Sequence, residues 1–283
     1  MQLWIIFVLL YGIFKGLREP IKKKALEKTD VMSALFMYTF IGFLMSIPGA
    51  KDIFSLTAGA YFIIFVKSLV IFFAWITAFE SIKRIPVSLY GVVNMSRVIF
   101  STLMGILLLG ESINLIGVVS LVMVAAGVMF STDKKAAARE KYNFKDIVLV
   151  LISCVLNAVS GTTDKYIMTN YTITSSQLQV WFMFMVSAMY FIYMMLKGKK
   201  IDVKGSLKNP NIYFMSLLLV FGDKLLFEAN ANPESSVVVM TLFKQSSVLV
   251  TIISGKLIYK EKNILRKIIC AAVIILGILL AAL

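Results

Sequence analysis

Long apolar stretches, separated by short segments rich in lysine and arginine, dominate this sequence of 283 residues. A helix needs about 20 apolar residues to cross the hydrocarbon core of a bilayer, where it satisfies its own backbone hydrogen bonds. Hydrophobic residues make up 59% of the chain, whereas soluble domains contain about 45–50%. The pattern therefore predicts an all-α membrane protein.

Ten segments are long and apolar enough to be predicted as transmembrane helices. They lie near residues 2–19, 31–49, 58–79, 86–109, 113–131, 146–164, 173–196, 210–229, 235–256 and 264–283. Four prolines lie at or beside the predicted ends: Pro20, Pro86, Pro210 and Pro233. The first segment lacks the basic start and cleavage site of a secretory signal, so we interpret it as the first span.

The distribution of positive charge predicts the orientation in the membrane. Segments that follow odd-numbered spans carry 23 Lys and Arg residues, whereas those that follow even-numbered spans carry only Lys51 and Lys165. Because basic loops stay in the cytoplasm, both termini are predicted to lie outside a plasma (inner) membrane. The net charge of +14 is thus a topology signal, and no nucleic-acid partner is expected.

The two halves of the chain resemble each other at a constant shift. The segment from Ser96 to Glu111 aligns with the segment from Ser246 to Glu261, and Gly127 aligns with Gly277. Since each half has an odd number of spans, the second half must be inverted in the membrane relative to the first. We predict two inverted five-helix repeats, residues 1–142 with a cytoplasmic linker and residues 143–283, an organisation typical of alternating-access carriers.

Each half carries a glycine that is followed six positions later by a glutamate, just before its last span: Gly105 with Glu111, and Gly255 with Glu261. With the ten spans in two halves, this motif resembles the drug/metabolite transporter superfamily, and the EamA-like bacterial branch in particular. Tyr11-Gly12 resembles the Trp-Gly usual in the first span, but Met37 and Tyr38 occupy the region where relatives often carry an arginine. The resemblance implies a ten-helix fold and transport of a small metabolite, without specifying the substrate.

Ionisable residues within the spans indicate a binding site. A Lys, Arg or Asp at a helix centre costs about 2.5–3.5 kcal/mol, so such residues are expected to face a cavity or a partner. The fourth and ninth spans carry polar stripes at corresponding positions, each on one helical face. The predicted solute-binding residues are Tyr90, Asn94, Arg97, Lys244, Ser247, Thr251 and Lys67.

Other charged residues leave alternatives open. Asp223 and Glu228 in the eighth span are candidate counter-ions or proton-coupling carboxylates, and either could instead pair with Arg97 or Lys244 to hold helices together. Lys224 is predicted to reach the membrane surface. The polar ends of the first and sixth spans fit either a gate or ordinary helix ends that emerge into water.

Four cations within the spans, against few acids, favour an anionic or zwitterionic solute such as an amino acid, organic acid or phosphorylated metabolite. The alternative is a carrier of organic cations or drugs that uses Asp223, Glu228 and aromatic rings. A membrane receptor or another non-transport role is the alternative from a different class. The chain has no histidine, and we expect no enzyme activity, metal or cofactor. The expected partners are the solute and the lipid bilayer, with proton or exchange coupling both compatible with the sequence.

Overall fold

The structure is a computed structural model that describes residues 3–49, 51–109, 115–131, 142–198, 201–235, 240, 243–244, 246–261 and 264–281. Glu111 lies outside the described residues. The regular elements of the described residues are helices, and such helices lie in each of the ten predicted spans. The prediction of an all-α membrane protein is therefore confirmed.

The first half contains α1 (Leu3–Leu26), α2 (Val31–Ser46), α3 (Ala58–Arg84), α4 (Val87–Asn94), α5 (Arg97–Leu109) and α6 (Leu115–Ser131). The second half contains α7 (Phe144–Asn170), α8 (Ser175–Leu196), the short α9 (Val203–Leu207), α10 (Pro210–Ala231), α11 (Ser246–Tyr259) and α12 (Ile264–Ala281). Side chains cap several first turns by accepting backbone hydrogen bonds, namely those of Asp30, Thr57, Asn143 and Thr174. By length and apolar composition alone, five membrane-spanning segments are recognised among the described residues, and α4 and α5 belong to one of them.

Helix packing follows the internal repeat. Helix α1 packs along α10 and α11, and its counterpart α7 packs along α3 and α5. Helix α2 packs on α8, α4 on α11 and α6 on α12, so each of these helices contacts its own counterpart. Each of these contacts has an equivalent contact between the corresponding helices of the other half. This symmetry is expected for inverted repeats related by a pseudo-two-fold axis.

Helix α1 is longer than predicted, because it continues through Pro20 to Leu26. Pro20 has no N–H to donate to the carbonyl of Gly16. Instead the hydroxyl of Thr251 donates to that carbonyl at 3.4 Å, and the hydroxyl of Tyr259 donates to the carbonyl of Pro20 at 3.0 Å. Helix α11 thus supplies hydrogen bonds where the proline interrupts α1.

The fourth span is interrupted, although the sequence predicts one continuous helix. Between α4 and α5 the hydrogen bonds tighten to a three-residue spacing, from the Met95 amide to Val92 (3.1 Å) and from the Ser96 amide to Val93 (3.0 Å). Arg97 is the first residue of α5. Discontinuous spans beside a central site are typical of inverted-repeat carriers.

Glu261, the glutamate of the second Gly–Glu motif, caps a helix of the other half. Its carboxylate accepts hydrogen bonds from the backbone amides of Val87 (2.6 Å) and Ser88 (3.1 Å) at the start of α4, and from the Ser88 hydroxyl. A Cβ atom at Gly255 would lie 2.9 Å from Oε2 of Glu261, so glycine leaves room for the carboxylate. The motif therefore ties the turn after α11 to the first half.

Replacing Glu261 with alanine is expected to destabilise the fold by about 1–3 kcal/mol, because a cap is lost and amides at the start of α4 lose their acceptor. Thermal unfolding in detergent micelles measures the loss. Lys256→Ala, which truncates an exposed side chain near the end of α11, is the matched control. Equal unfolding temperatures for Glu261→Ala and the control would show that the contact contributes no stability.

Candidate solute-binding cavity

A cavity between the two halves brings together eight charged residues that lie within the helices. Helices α1, α3, α4, α5, α7, α8 and α10 contribute to its wall. Its charged lining residues are Lys15, Arg18, Glu19, Lys22, Lys67, Arg97, Asp164 and Asp223. Grouping them in a shared polar space avoids the cost of exposing each charge to lipid.

Of the predicted binding residues, Tyr90, Asn94, Arg97 and Lys67 line this cavity. The guanidinium of Arg97 donates a hydrogen bond from Nη2 to the carbonyl of Asn157 at 2.7 Å. A Cβ atom at Gly161 would lie 3.1 Å from the same nitrogen, so the guanidinium rests against the backbone of α7. The polar face predicted for the fourth span therefore reaches the cavity, and its role in solute binding stays a prediction.

Lys67 is held by an ion pair and by aromatic rings. Its Nζ lies 2.9 Å from Oδ1 of Asp164, and 3.4 Å and 5.0 Å from the ring centroids of Phe182 and Phe227. The side chain is 2% exposed. This contact joins α3 to α7 and balances both charges, which neither residue could do alone in an apolar interior.

Two predicted wall residues, Ser247 and Thr251, lie where helices pack and are not among the residues that line this cavity, so their role in solute binding stays a prediction. The hydroxyl of Thr251 donates to the carbonyl of Ser247 at 2.8 Å. A Cβ atom at Gly91 would lie 3.0 Å from Cγ2 of Thr251, and one at Gly16 would lie 2.6 Å from the carbonyl oxygen of Ser247. These short approaches bring α1 and α4 against α11. Small hydroxyl side chains allow such contact while they satisfy their own helix.

Lys244, the remaining predicted ligand, faces α1. Its Nζ lies 6.0 Å from the ring centroid of Tyr11, which lines the cavity, so Lys244 lies behind the cavity wall and its role in solute binding stays a prediction.

The acidic residues of α10 separate into different surroundings. Asp223 lines the cavity, and its Oδ1 lies 4.0 Å from Nη1 of Arg18. Glu228 is exposed and accepts a hydrogen bond from the Ser175 hydroxyl. Lys224 Nζ would lie 3.4 Å from a Cβ atom at Gly49, just after α2. Among the described residues, neither carboxylate pairs with Arg97 or Lys244, so that alternative is not observed.

The polar end of the first span fits either a gate or an ordinary helix end by sequence, and in the structure the polar face of α1 forms part of the cavity wall. Its cavity-lining residues are Tyr11, Lys15, Arg18, Glu19 and Lys22. Lys22 Nζ lies 2.7 Å from Oε2 of Glu19. The spacing of Tyr11, Lys15, Arg18 and Lys22 repeats that of the fourth-span stripe and could have identified them. Three of the 23 cations assigned to odd-numbered loops are therefore cavity residues.

Lysines close the two ends of the bundle at related positions. Near the end of α1, Lys23 Nζ donates to the carbonyl of Ile85, in the connection between the third and fourth spans. Near the end of α7, Lys165 Nζ donates to carbonyls of Asn230 (3.0 Å) and Asn232 (3.2 Å) and to the Ser235 hydroxyl (2.9 Å), in the corresponding connection of the second half. Because the halves are inverted, the two contacts lie at opposite ends.

Comparison with known proteins relates the first half of the chain to a transporter family. Residues 2–132 match the model of the EamA-like transporter family. This part of the chain is therefore similar to members of the drug/metabolite transporter superfamily. A protein of known crystal structure is 13% identical to this chain; the alignment covers 97% of this chain and 96% of the other, with a TM-score of 0.66. That likeness shows a shared fold alone. No curated protein matches this chain.

Proposed function

We propose that this protein is a secondary carrier that moves a small anionic or zwitterionic metabolite by alternating access around the cavity. The observation that carries the proposal is the cavity's charge, since five Lys and Arg side chains line it against three carboxylates. An excess of positive charge in a low-dielectric cleft attracts anions. The planar guanidinium of Arg97 is suited to hold two oxygens of a carboxylate or phosphate at once.

The proposed roles follow the contacts. Arg97, Lys15 and Lys244 bind the acidic group of the solute, and Tyr90 and Asn94 line the wall beside it. Asp223 is the counter-ion of Arg18 and the candidate site for proton coupling, with solute exchange as the other form of coupling. Glu228 is given neither role, because its side chain is exposed and accepts a hydrogen bond from the Ser175 hydroxyl.

The proposed topology has repeats 1–142 and 143–283, with both termini outside the plasma membrane and the basic loops in the cytoplasm. Removing Lys15, Arg18 and Lys22 from the loop count leaves 20 cations against 2. The bias that supports this orientation therefore persists.

A carrier of organic cations is supported less well by the same contacts. Such a carrier needs a carboxylate free to bind a positive ligand, yet Asp223 faces Arg18 and Asp164 is paired with Lys67. Aromatic rings do line the cavity, but Lys67 already lies over Phe182 and Phe227.

A thermal-shift screen of the purified protein tests the proposed solute class, with anionic, zwitterionic and cationic metabolites as probes. A ligand at about 100 times its dissociation constant stabilises the native state by about 2.7 kcal/mol. We expect stabilisation by anions or zwitterions. Stabilisation by organic cations alone would overturn the proposal.

Loosening one end of the bundle is expected to shift the balance between the two access states. Lys165→Met removes three hydrogen bonds at one end of the bundle. If the access state closed at that end loses about 1 kcal/mol of stability, the ratio of the two access states changes about fivefold. Cysteine introduced at Ser160 in the cavity, with Cys154 and Cys270 replaced, reports access to a membrane-impermeant thiol reagent. We expect faster labelling from the side of Lys165 only.

The matched variant Lys23→Met should speed labelling from the opposite side, because Lys23 makes the related contact at the other end. Equal labelling rates from each side in both variants would contradict a gating role for these lysines.

A further inference from the structure

The carboxylates of the cavity already have cationic partners. Oε2 of Glu19 lies 2.7 Å from Nζ of Lys22, and Oδ1 of Asp164 lies 2.9 Å from Nζ of Lys67. Asp223 has the looser contact of 4.0 Å with Arg18. Within the described part of the chain, these three pairs use every acidic residue that lines the cavity. A ligand's ammonium group would therefore have to displace a lysine or arginine to find an anionic partner.

Three cations remain without such compensation. Among the described residues, no carboxylate lies within 4.0 Å of Lys15, Arg97 or Lys244. Arg97 uses one nitrogen on the carbonyl of Asn157, and Lys15 makes no hydrogen bond to a described residue although it is 9% exposed. Lys15 and Arg97 line the same cavity, and Nζ of Lys244 lies 6.0 Å from the ring centroid of Tyr11, another lining residue. Like charges gathered in a low-dielectric space are unfavourable until an anion joins them.

Arg18 adds an unused donor to the same cavity wall. Its Nε is buried and has no hydrogen-bond partner among the described residues, and the residue is 8% exposed. A buried donor left unsatisfied costs free energy that a ligand oxygen could recover. This observation is independent of the charge balance, and it points to the same kind of ligand.

We infer that the solute is a dianion, either a phosphate monoester or a dicarboxylate, whose two negative charges neutralise the cluster of Lys15, Arg97 and Lys244. This inference rests on the proposed function and narrows it, because a zwitterion supplies one negative charge and an ammonium that the paired carboxylates do not accommodate. The two dianion classes share the required chemistry and differ in geometry, so they form separate arms of the test.

Binding measurements on the purified protein at fixed ionic strength compare probes that differ by one charge. Glycerol 3-phosphate is compared with its methyl phosphodiester, and succinate with monomethyl succinate; L-serine and L-glutamine represent zwitterions. We expect one dianion to bind at least about tenfold more tightly than its monoanionic partner. Preference for glycerol 3-phosphate identifies the phosphate class, and preference for succinate identifies the dicarboxylate class.

Two variants assign the preference to the cluster. Lys15→Gln should reduce the ratio between dianion and monoanion affinities, and it should leave the ligand-free protein as stable as before or more stable, because a repelling charge is removed. Lys224→Gln is the matched control, because the side chain of Lys224 lies beside Gly49 and does not line the cavity. This variant removes one lysine charge and should leave the affinity ratio unchanged.

The outcomes separate this inference from the proposed function. Monoanions or zwitterions that bind as tightly as dianions would overturn the dianion assignment and leave an anion or zwitterion carrier in place. Failure of both dianion classes to bind, with organic cations binding instead, would overturn both. A preference that Lys224→Gln reduces as much as Lys15→Gln does would show that general positive charge, and not the cluster, selects the ligand.

Discussion

Replacing Asp164 with asparagine is expected to lower the free energy of unfolding by about 3–5 kcal/mol, because it leaves the ammonium of Lys67 buried without its anionic partner. Lys67 is 2% exposed and lies 2.9 Å from Asp164. Both side chains lie in the wall of the cavity and are nearly buried, with exposures of 2% for Lys67 and 8% for Asp164. Thermal unfolding in detergent micelles measures the effect. Lys67→Met should also lower stability, because it leaves the carboxylate of Asp164 without its cationic partner.

Two comparisons show whether pairing causes the loss. The double variant Lys67→Met with Asp164→Asn should recover much of the stability, since neutral residues can replace a buried pair at little cost. Glu80→Gln breaks the more exposed ion pair with Arg84, which spans 2.6 Å at the end of α3, and should change stability by less than about 1 kcal/mol. Additive losses in the double variant would contradict direct coupling of the two residues.

Arg97→Gln is expected to weaken binding of the anionic solute by at least about thirtyfold, because truncating one partner of a buried, hydrogen-bonded charge pair costs about 2–5 kcal/mol. The native fold should persist, since the hydrogen bond that Arg97 makes is to a backbone carbonyl of α7. Isothermal titration calorimetry measures the affinity. Arg97→Lys keeps the charge but loses the planar fork, so an intermediate affinity is expected.

Arg84→Gln serves as the matched control for Arg97→Gln, because it removes an exposed arginine charge at the end of α3. It should bind the solute as the unaltered protein does. A folded Arg97→Gln variant with unchanged affinity would remove Arg97 from the binding site and assign it to helix packing.

Much of the fold follows from the sequence because bilayer thickness and backbone hydrogen bonding leave few choices. Apolar length predicts the spans, and an odd number of spans in each half predicts inversion. The helical period also identifies the face of Tyr90, Asn94 and Arg97 that lines the cavity. These properties depend on residues close together in the chain.

The polar face of α1 has the same helical period as the stripe on the fourth span. Its cations Lys15, Arg18 and Lys22 nevertheless count toward the first basic loop when the sequence is read alone. Pro20 and the run of lysines after it favour a helix end when read locally. In the structure, Thr251 and Tyr259 supply hydrogen bonds beside the proline, and the helix continues. A contact with a segment more than 200 residues away cannot be inferred from the local pattern.

Spacing also cannot tell a ligand from a packing residue. Ser247 and Thr251 share one face of the ninth span, yet the Thr251 hydroxyl donates to carbonyls of α11 and α1, and the Ser247 carbonyl lies against Gly16 of α1. The partners of Lys67 and Asp223 are likewise set by how α3 meets α7 and how α1 meets α10. Sequence identifies the charges that need partners, and packing decides which partners they find.

The most direct test of the central claim, that the positively charged cavity carries an anionic solute across the membrane, is solute exchange in proteoliposomes. Vesicles loaded with unlabelled glycerol 3-phosphate or succinate are placed in a trace of the same labelled compound, beside vesicles that contain the Arg97→Gln variant. We expect labelled solute to accumulate only with the unaltered protein. No exchange of either anion, or equal exchange with the variant, would contradict the account.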